Sequence, residues 1–243
     1  MVAELLFLIG FAAGLAGCQT PQYRDERVEG GTVDHIVFAV PDLQVATDHL
    51  AGVLGISPVR GGEHVALGTE NTLFSLGGRQ YFEILGPSRN QAELQPFGAA
   101  LASKDRPDIL TFAVETDNLE EIVRVAEEIG LETSGIANSS RVMPDGQVLR
   151  YRSVLVISQE FRGLVPFFID WGDGPHPGLT SPEGATLKYL EVLSPDPAKL
   201  ARIYSRLGIK VPVKAGLAPA IIAEVKSASG QIVLVGSGDG LGG

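Results

Sequence analysis

The groups able to do chemistry in this 243-residue chain are imidazoles and carboxylates, because it holds four histidines and a single cysteine, Cys18. One cysteine excludes an intramolecular disulfide and a thiolate zinc site, so any metal centre must use nitrogen and oxygen donors. Glu83 interrupts the apolar run Tyr81-Phe82-Glu83-Ile84-Leu85. A carboxylate there must face water, a metal or a partner, since burying it unpaired is costly. His64 closes Gly61-Gly62-Glu63-His64, just before Gly68-Thr69-Glu70-Asn71, and such glycines allow backbone to approach a ligand closely. His176, in Gly174-Pro175-His176-Pro177, follows a segment carrying Asp170 and Trp171, and reads either as a pocket residue or as a surface loop residue. Arg150 and Arg152 flank Tyr151 and so share one strand face. Turned inward they would clamp an anion, which an acidic pocket holding Glu83 and Asp170 would favour; turned outward they only solubilise. His49 falls on the polar face of a helix. Cys18 lies too near the leader to act as a nucleophile.

The elements that must position these groups follow from a repeat. Three segments share one plan: a β-type run, an Asp-containing turn, an amphipathic helix, then Gly plus an aliphatic residue. They are DHIVFAV to Gly55-Ile56, DILTFAV to Gly130-Leu131, and LKYLEVL to Gly208-Ile209. Asp42, Asp117 or Asn118, and Asp196 stand where a helix N-cap is needed, and the three glycines where a C-cap wants positive φ. Leu119, Ile122, Val123, Ala126 and Ile129 form one apolar stripe, with Glu120, Glu121, Arg124, Glu127 and Glu128 facing water. Three strands are expected after each helix: 57–60, 72–76 and 81–85; 133–137, 148–157 and 165–171; 210–214, 220–226 and 232–235. A further helix is expected around 92–101. The fold class is therefore α+β, built from three βαβββ modules with curved mixed sheets around a cup.

The chain as a whole is that of a globular protein, 44% hydrophobic and 20% charged, and its net charge of −10 argues against a nucleic-acid surface. No GxSxG, P-loop or GxGxxG-helix motif occurs, and 237–243 reads as a flexible tail. Residues 1–17 are apolar except for Glu4, and Leu15-Ala16-Gly17-Cys18 is lipobox-like. With no Lys or Arg before the run, two expectations stand: a lipoprotein of the cell envelope anchored at Cys18, or an uninserted leader on a cytoplasmic protein. Residues 19–31 read as a tether. Residues 32–180 are expected to pair two modules into one domain, and 181–236 to form the third module.

DHIVFAVPDL at 34–43, GGEHVALGTENTLFSLGG at 61–78, YFEILGP at 81–87, PDGQVLRYR at 144–152 and PFFIDWGDGPHP at 166–177 together resemble the glyoxalase-like domain proteins of the vicinal oxygen chelate superfamily. The resemblance implies a cup between two modules that holds a divalent metal or a substrate. The superfamily takes metal ligands from the first and last strands of a module, which here match His35 and Glu83. The plainer alternatives are a hydrogen-bonded barrel histidine and a glutamate on a solvated face. It also implies His64, Thr69 and Asn71 as pocket residues, Asn71 otherwise capping a hairpin. The second module departs from the pattern: Ile109 replaces the histidine, and either Asp170 or Ile169 occupies the glutamate position. Tyr189 stands at the histidine position in the third.

These readings predict an enzyme acting on a small oxygenated molecule, with Glu83 and His64 as catalytic groups and His64 or Asp170 completing a metal set. Lyase, isomerase and dioxygenase chemistry are all compatible. The rival expectation is a non-catalytic binding or sequestering protein of the same fold. The third module would cap the sheet, seal an edge or pair with a second subunit in a homodimer.

Overall fold

The computed structural model describes residues 33–238. The leader, the tether, Cys18 and the end of the tail lie outside the described residues. No helix among the described residues is long and apolar enough to cross a membrane.

The first module runs β1 (Val33–Ala39), α1 (Leu43–Leu54), β2 (Val59–His64), β3 (Thr69–Gly77) and β4 (Gln80–Pro87). After α2 (Pro96–Ala102) come β5 (Asp108–Glu115), α3 (Leu119–Glu128), β6 (Glu132–Thr133), β7 (Ala137–Val142), β8 (Val148–Ile157) and β9 (Phe167–Asp170). A short helix α4 (Pro177–Thr180) leads to β10 (Ala185–Ser194), α5 (Pro197–Arg206), β11 (Val213–Ala215), β12 (Ala220–Ser227) and β13 (Gln231–Gly236). The caps are those the turns predict: Asp42, Asn118 and Asp196 each accept from backbone N–H groups of the following helix. Gly55 closes α1 at φ 63°.

In each of the first two modules the first strand lies parallel to the last, β1 beside β4 and β5 beside β9. Antiparallel pairing of β1 with β5 joins the modules on one side. On the other side β2 meets β7 through one residue pair, Glu63 with Val142. With β8 beside β9, the strands β1-β5-β9-β8-β7-β2-β3-β4 close into a ring.

Alternation along the strands gives this ring two faces. Ile36, Phe38, Phe82, Ile84 and Phe112 face outward and pack with Leu50 and Leu54 of α1 and Leu119 and Ala126 of α3. The other face, enclosed by the ring, carries Leu73, Tyr81, Leu149, Ile169 and Trp171 in one cluster and Val37, Leu85 and Leu110 in another.

The βαβββ order occurs a third time, but with different wiring. Here β10 is parallel to β11, its second strand, and antiparallel to β12, giving the order β11-β10-β12-β13. This sheet packs on the outer face of the ring, where Leu190, Val192, Ile221 and Val225 join the same core as Phe38 and Phe82. Of the roles expected for it, capping the main sheet is the one that the packing matches.

Candidate active site

A bulge sets the site. Val33 pairs with Val114 and His35 with Ala113, so Asp34 is an extra residue in β1, and a bulge re-aims the side chains around it. Asp34 is 1% exposed and accepts from Trp171 Nε1 at 2.9 Å and His176 Nε2 at 2.8 Å. It also takes a short hydrogen bond from His35 Nδ1. Gly178 N–H donates to His176 Nδ1 at 3.0 Å, which leaves the His176 proton on Nε2, pointing at Asp34. Burial alone would raise the Asp34 carboxyl, but the hydrogen bonds from His176 and His35, with the charges these rings can carry, hold it at about 2.

Ionised Asp34 holds the His35 Nδ1 proton toward itself, which turns Nε2 to the enclosed face. That atom lies 3.5 Å from Glu83 Oε2. The ring is clamped by Tyr81, stacked at 4.4 Å, and by the edge contact with Phe167 at 5.5 Å. Asn71 Nδ2 donates to Glu83 Oε1 at 2.5 Å, and Asn71 Oδ1 is buried without a partner. His64 Nδ1 lies 3.2 Å from the hydroxyl of buried Thr69. Loss of hydration depresses the His64 pKa, against the pull of Glu83 and with help from the positive charge of Arg141. Tyr81 is raised far above its usual value, and Tyr151 to about 12, first by burial and then by nearby carboxylate charge.

The structure thus gathers His35, Glu83, Asn71, His64 and Thr69 on the enclosed face. It separates the others. Arg152 pairs with Asp170 at 2.6 Å and with Glu120 of α3 at 2.8 Å, on the helix side of the sheet. Arg150 is exposed on that same side. The inward clamp expected of these arginines is therefore corrected, and Ile169, not Asp170, takes the inward place on β9. The reason is register: Tyr151 is the inward residue, so its two neighbours must point out. His176 is neither a surface nor a pocket residue. It is 2% exposed, caps α4 and orients Asp34. Asp34, Trp171 and Arg141 are site residues that the sequence reading did not select.

Two groupings of these side chains could attract a cation. Donor atoms of Asp34, Glu115 and His176 lie within 4.8 Å of one another. Both nitrogens of His176 are already engaged, and Glu115 is bound by Arg79, so this cluster is a satisfied hydrogen-bond network. His35 Nε2 and Glu83 Oε2, 3.5 Å apart, instead suit a divalent ion that prefers nitrogen and oxygen.

A family model described as a glyoxalase-like domain matches residues 33–208. No curated protein sequence matches the chain. Among solved structures, a hypothetical protein from Staphylococcus aureus is similar over 84% of both chains, with a TM-score of 0.57 at 15% identity. Methylmalonyl-CoA epimerase from Mycobacterium tuberculosis shares 18% identity over 58% of this chain and 88% of that one, with a TM-score of 0.44. A mutant 4-hydroxymandelate synthase from Streptomyces coelicolor shares 16% over 84% of this chain and 62% of its own, with a TM-score of 0.49. The Staphylococcus protein is the likeness that carries the fold.

Proposed function

The chain belongs to the glyoxalase-like domain family, and on that premise we propose that the ring encloses an active site for proton transfer on a small oxygenated molecule. The observation that supports this most is the line Asp34–His35–Glu83: a buried carboxylate orients an imidazole whose free nitrogen faces a second carboxylate.

Each residue then has a part. Asp34 fixes the orientation of the His35 ring and its Nδ1 proton. Glu83, or His64 kept neutral by its surroundings, accepts the proton from the bound molecule. Thr69 orients His64, and the Asn71 amide N–H holds Glu83. Tyr81, Phe167 and Trp171 exclude water, which strengthens each of these electrostatic contacts. A divalent ion held by His35 and Glu83 would supply Lewis acidity at a substrate oxygen.

Metal content of the purified protein tests the ion, with His35→Ala and Glu83→Ala beside wild type. Loss in both variants is expected, and unchanged content in both removes the metal-assisted form of the proposal. The second reading, a binding or sequestering protein, is favoured by the second module, whose inward residues include Leu110, Ala113, Phe167 and Ile169. Proton exchange from a panel of small α-hydroxycarbonyl compounds into heavy water separates the two. Exchange that Glu83→Gln abolishes supports the enzyme; tight binding without exchange supports the sequestering protein.

A further inference from the structure

Arg141 is 4% exposed and is the only buried arginine or lysine among the described residues. It lies on β7 directly opposite Leu149 of β8, and directly opposed residues share a sheet face. Leu149 belongs to the enclosed cluster with Leu73, Tyr81 and Trp171, so Arg141 points into the ring. Its charge is felt at His64, Tyr81 and Tyr151, three rings of that interior. Its Nε is buried with no hydrogen-bond partner, and among the described residues it forms no ion pair.

Glu83 acts on the same three rings but makes no ion pair with Arg141, so the guanidinium keeps hydrogen-bonding capacity that an anion could use. Gly62 is shaped to admit it. A Cβ at that position would stand 2.7 Å from Arg141 Cγ. We propose that Arg141 is an anion anchor and that the molecule bound in the ring is a small carboxylate with an apolar body. The planar fork of a guanidinium matches a carboxylate through two parallel hydrogen bonds. One fixed cation suits a monoanion, and Leu73, Leu149, Ile169 and Trp171 provide an apolar wall for the rest of the molecule. This proposal rests on the reading that the ring interior is the binding site, and it names the class of molecule that site takes.

Trp171 is the chain's single tryptophan and lines the same cluster, so its fluorescence reports occupancy. The probes are benzoate, pyruvate and 2-oxoglutarate, with methyl benzoate as the neutral isostere and inorganic phosphate as the competing anion. At least one carboxylate is expected to bind saturably, and methyl benzoate to bind about tenfold or more weakly, as for the loss of a charged hydrogen bond. Arg141→Gln is expected to abolish the carboxylate preference, Arg141→Lys to retain part of it, and Arg150→Gln to change nothing. No binding by any carboxylate, equal binding of the methyl ester, or preference for phosphate overturns the proposal. So does undiminished carboxylate binding in Arg141→Gln. Should Arg141→Gln fail to fold, the wild-type comparison of acid with ester still decides. Metal content of the same samples is a separate readout, so loss of the metal-assisted reading leaves the carboxylate result standing on its own.

Discussion

Asp34 organises the proposed site, because one buried carboxylate accepts hydrogen bonds from three rings. Its folded value of about 2 lies below the ordinary 3.8. Stability from this group is therefore fully present above about pH 4 and drains away as pH falls toward 2, by about 2 kcal/mol. Asp34→Asn should be destabilised at pH 7 by about 3–5 kcal/mol, since it breaks a buried charge network. Its urea midpoint should also fall less steeply than wild type between pH 4 and 2; parallel curves would remove Asp34 as the acid-sensitive group. His64 works in the opposite chemical sense, as its depressed pKa keeps the folded ring neutral. The unfolded chain takes up that proton first, so stability is present above about pH 6.5 and is lost as pH falls toward the lower folded value. His64→Gln should flatten urea midpoints measured between pH 7 and 5, and an unchanged slope would contradict the desolvated ring. Glu83 stood out in the sequence as a charged residue inside an apolar run, whereas His35 came only from the family resemblance. Arg141 did not stand out, because Asn138, Ser139 and Ser140 give its strand no apolar alternation and it reads as a loop.

At the scale of elements, the weak point of the ring is the seam where β2 touches β7 through one residue pair. Gly62 makes that approach possible. It adopts φ 148°, and a Cβ there would stand 2.3 Å from the Val142 carbonyl oxygen. Gly62→Ala should cost about 1–3 kcal/mol through backbone strain. It should also part the seam, so amide exchange is expected to quicken in 137–142 while β10 and β12 stay protected. Uniform acceleration across both sheets would mean that the seam is not a local weak point. The three module helices and their caps were read correctly from Asp and Gly positions, because capping is a local interaction. By contrast, α2 begins at Pro96 rather than 92, and α4 was not expected. The strands 148–157 and 220–226 were placed within a residue or so, whereas β7 was missed and β2 was placed too early. Both failures fall on strands whose residues are largely polar or glycine, where pairing across the ring, rather than local pattern, makes the strand.

For the molecule as a whole, the third βαβββ string shows that element order does not dictate wiring. Parallel pairing of first with last strand, as in β1 with β4, and of first with second, as in β10 with β11, use the same sequence of elements. What selects between them is the surface each sheet must cover. The first two modules close on each other, and the third lies against their outer face, so its strands meet a curved wall instead of a twin. That contact is close: a Cβ at Gly236 would stand 2.0 Å from the Ile109 carbonyl oxygen, and one at Gly230 2.4 Å from that of Val53. Tyr204 of α5 also donates to the Leu164 carbonyl at 2.5 Å. Because one apolar core runs from Ile36 and Phe82 to Ile221 and Val225, ring and third sheet should unfold in a single transition. Trp171 fluorescence follows the ring alone and far-ultraviolet dichroism follows both sheets, so coincident urea curves are expected for wild type. Gly236→Val forces backbone apart at the shared surface and should lower the midpoint by the equivalent of about 1–3 kcal/mol. The dichroism curve should then begin to fall before the fluorescence curve, as β13 detaches first. A variant whose two curves still coincide at the wild-type midpoint would show that the third sheet is not held through this contact.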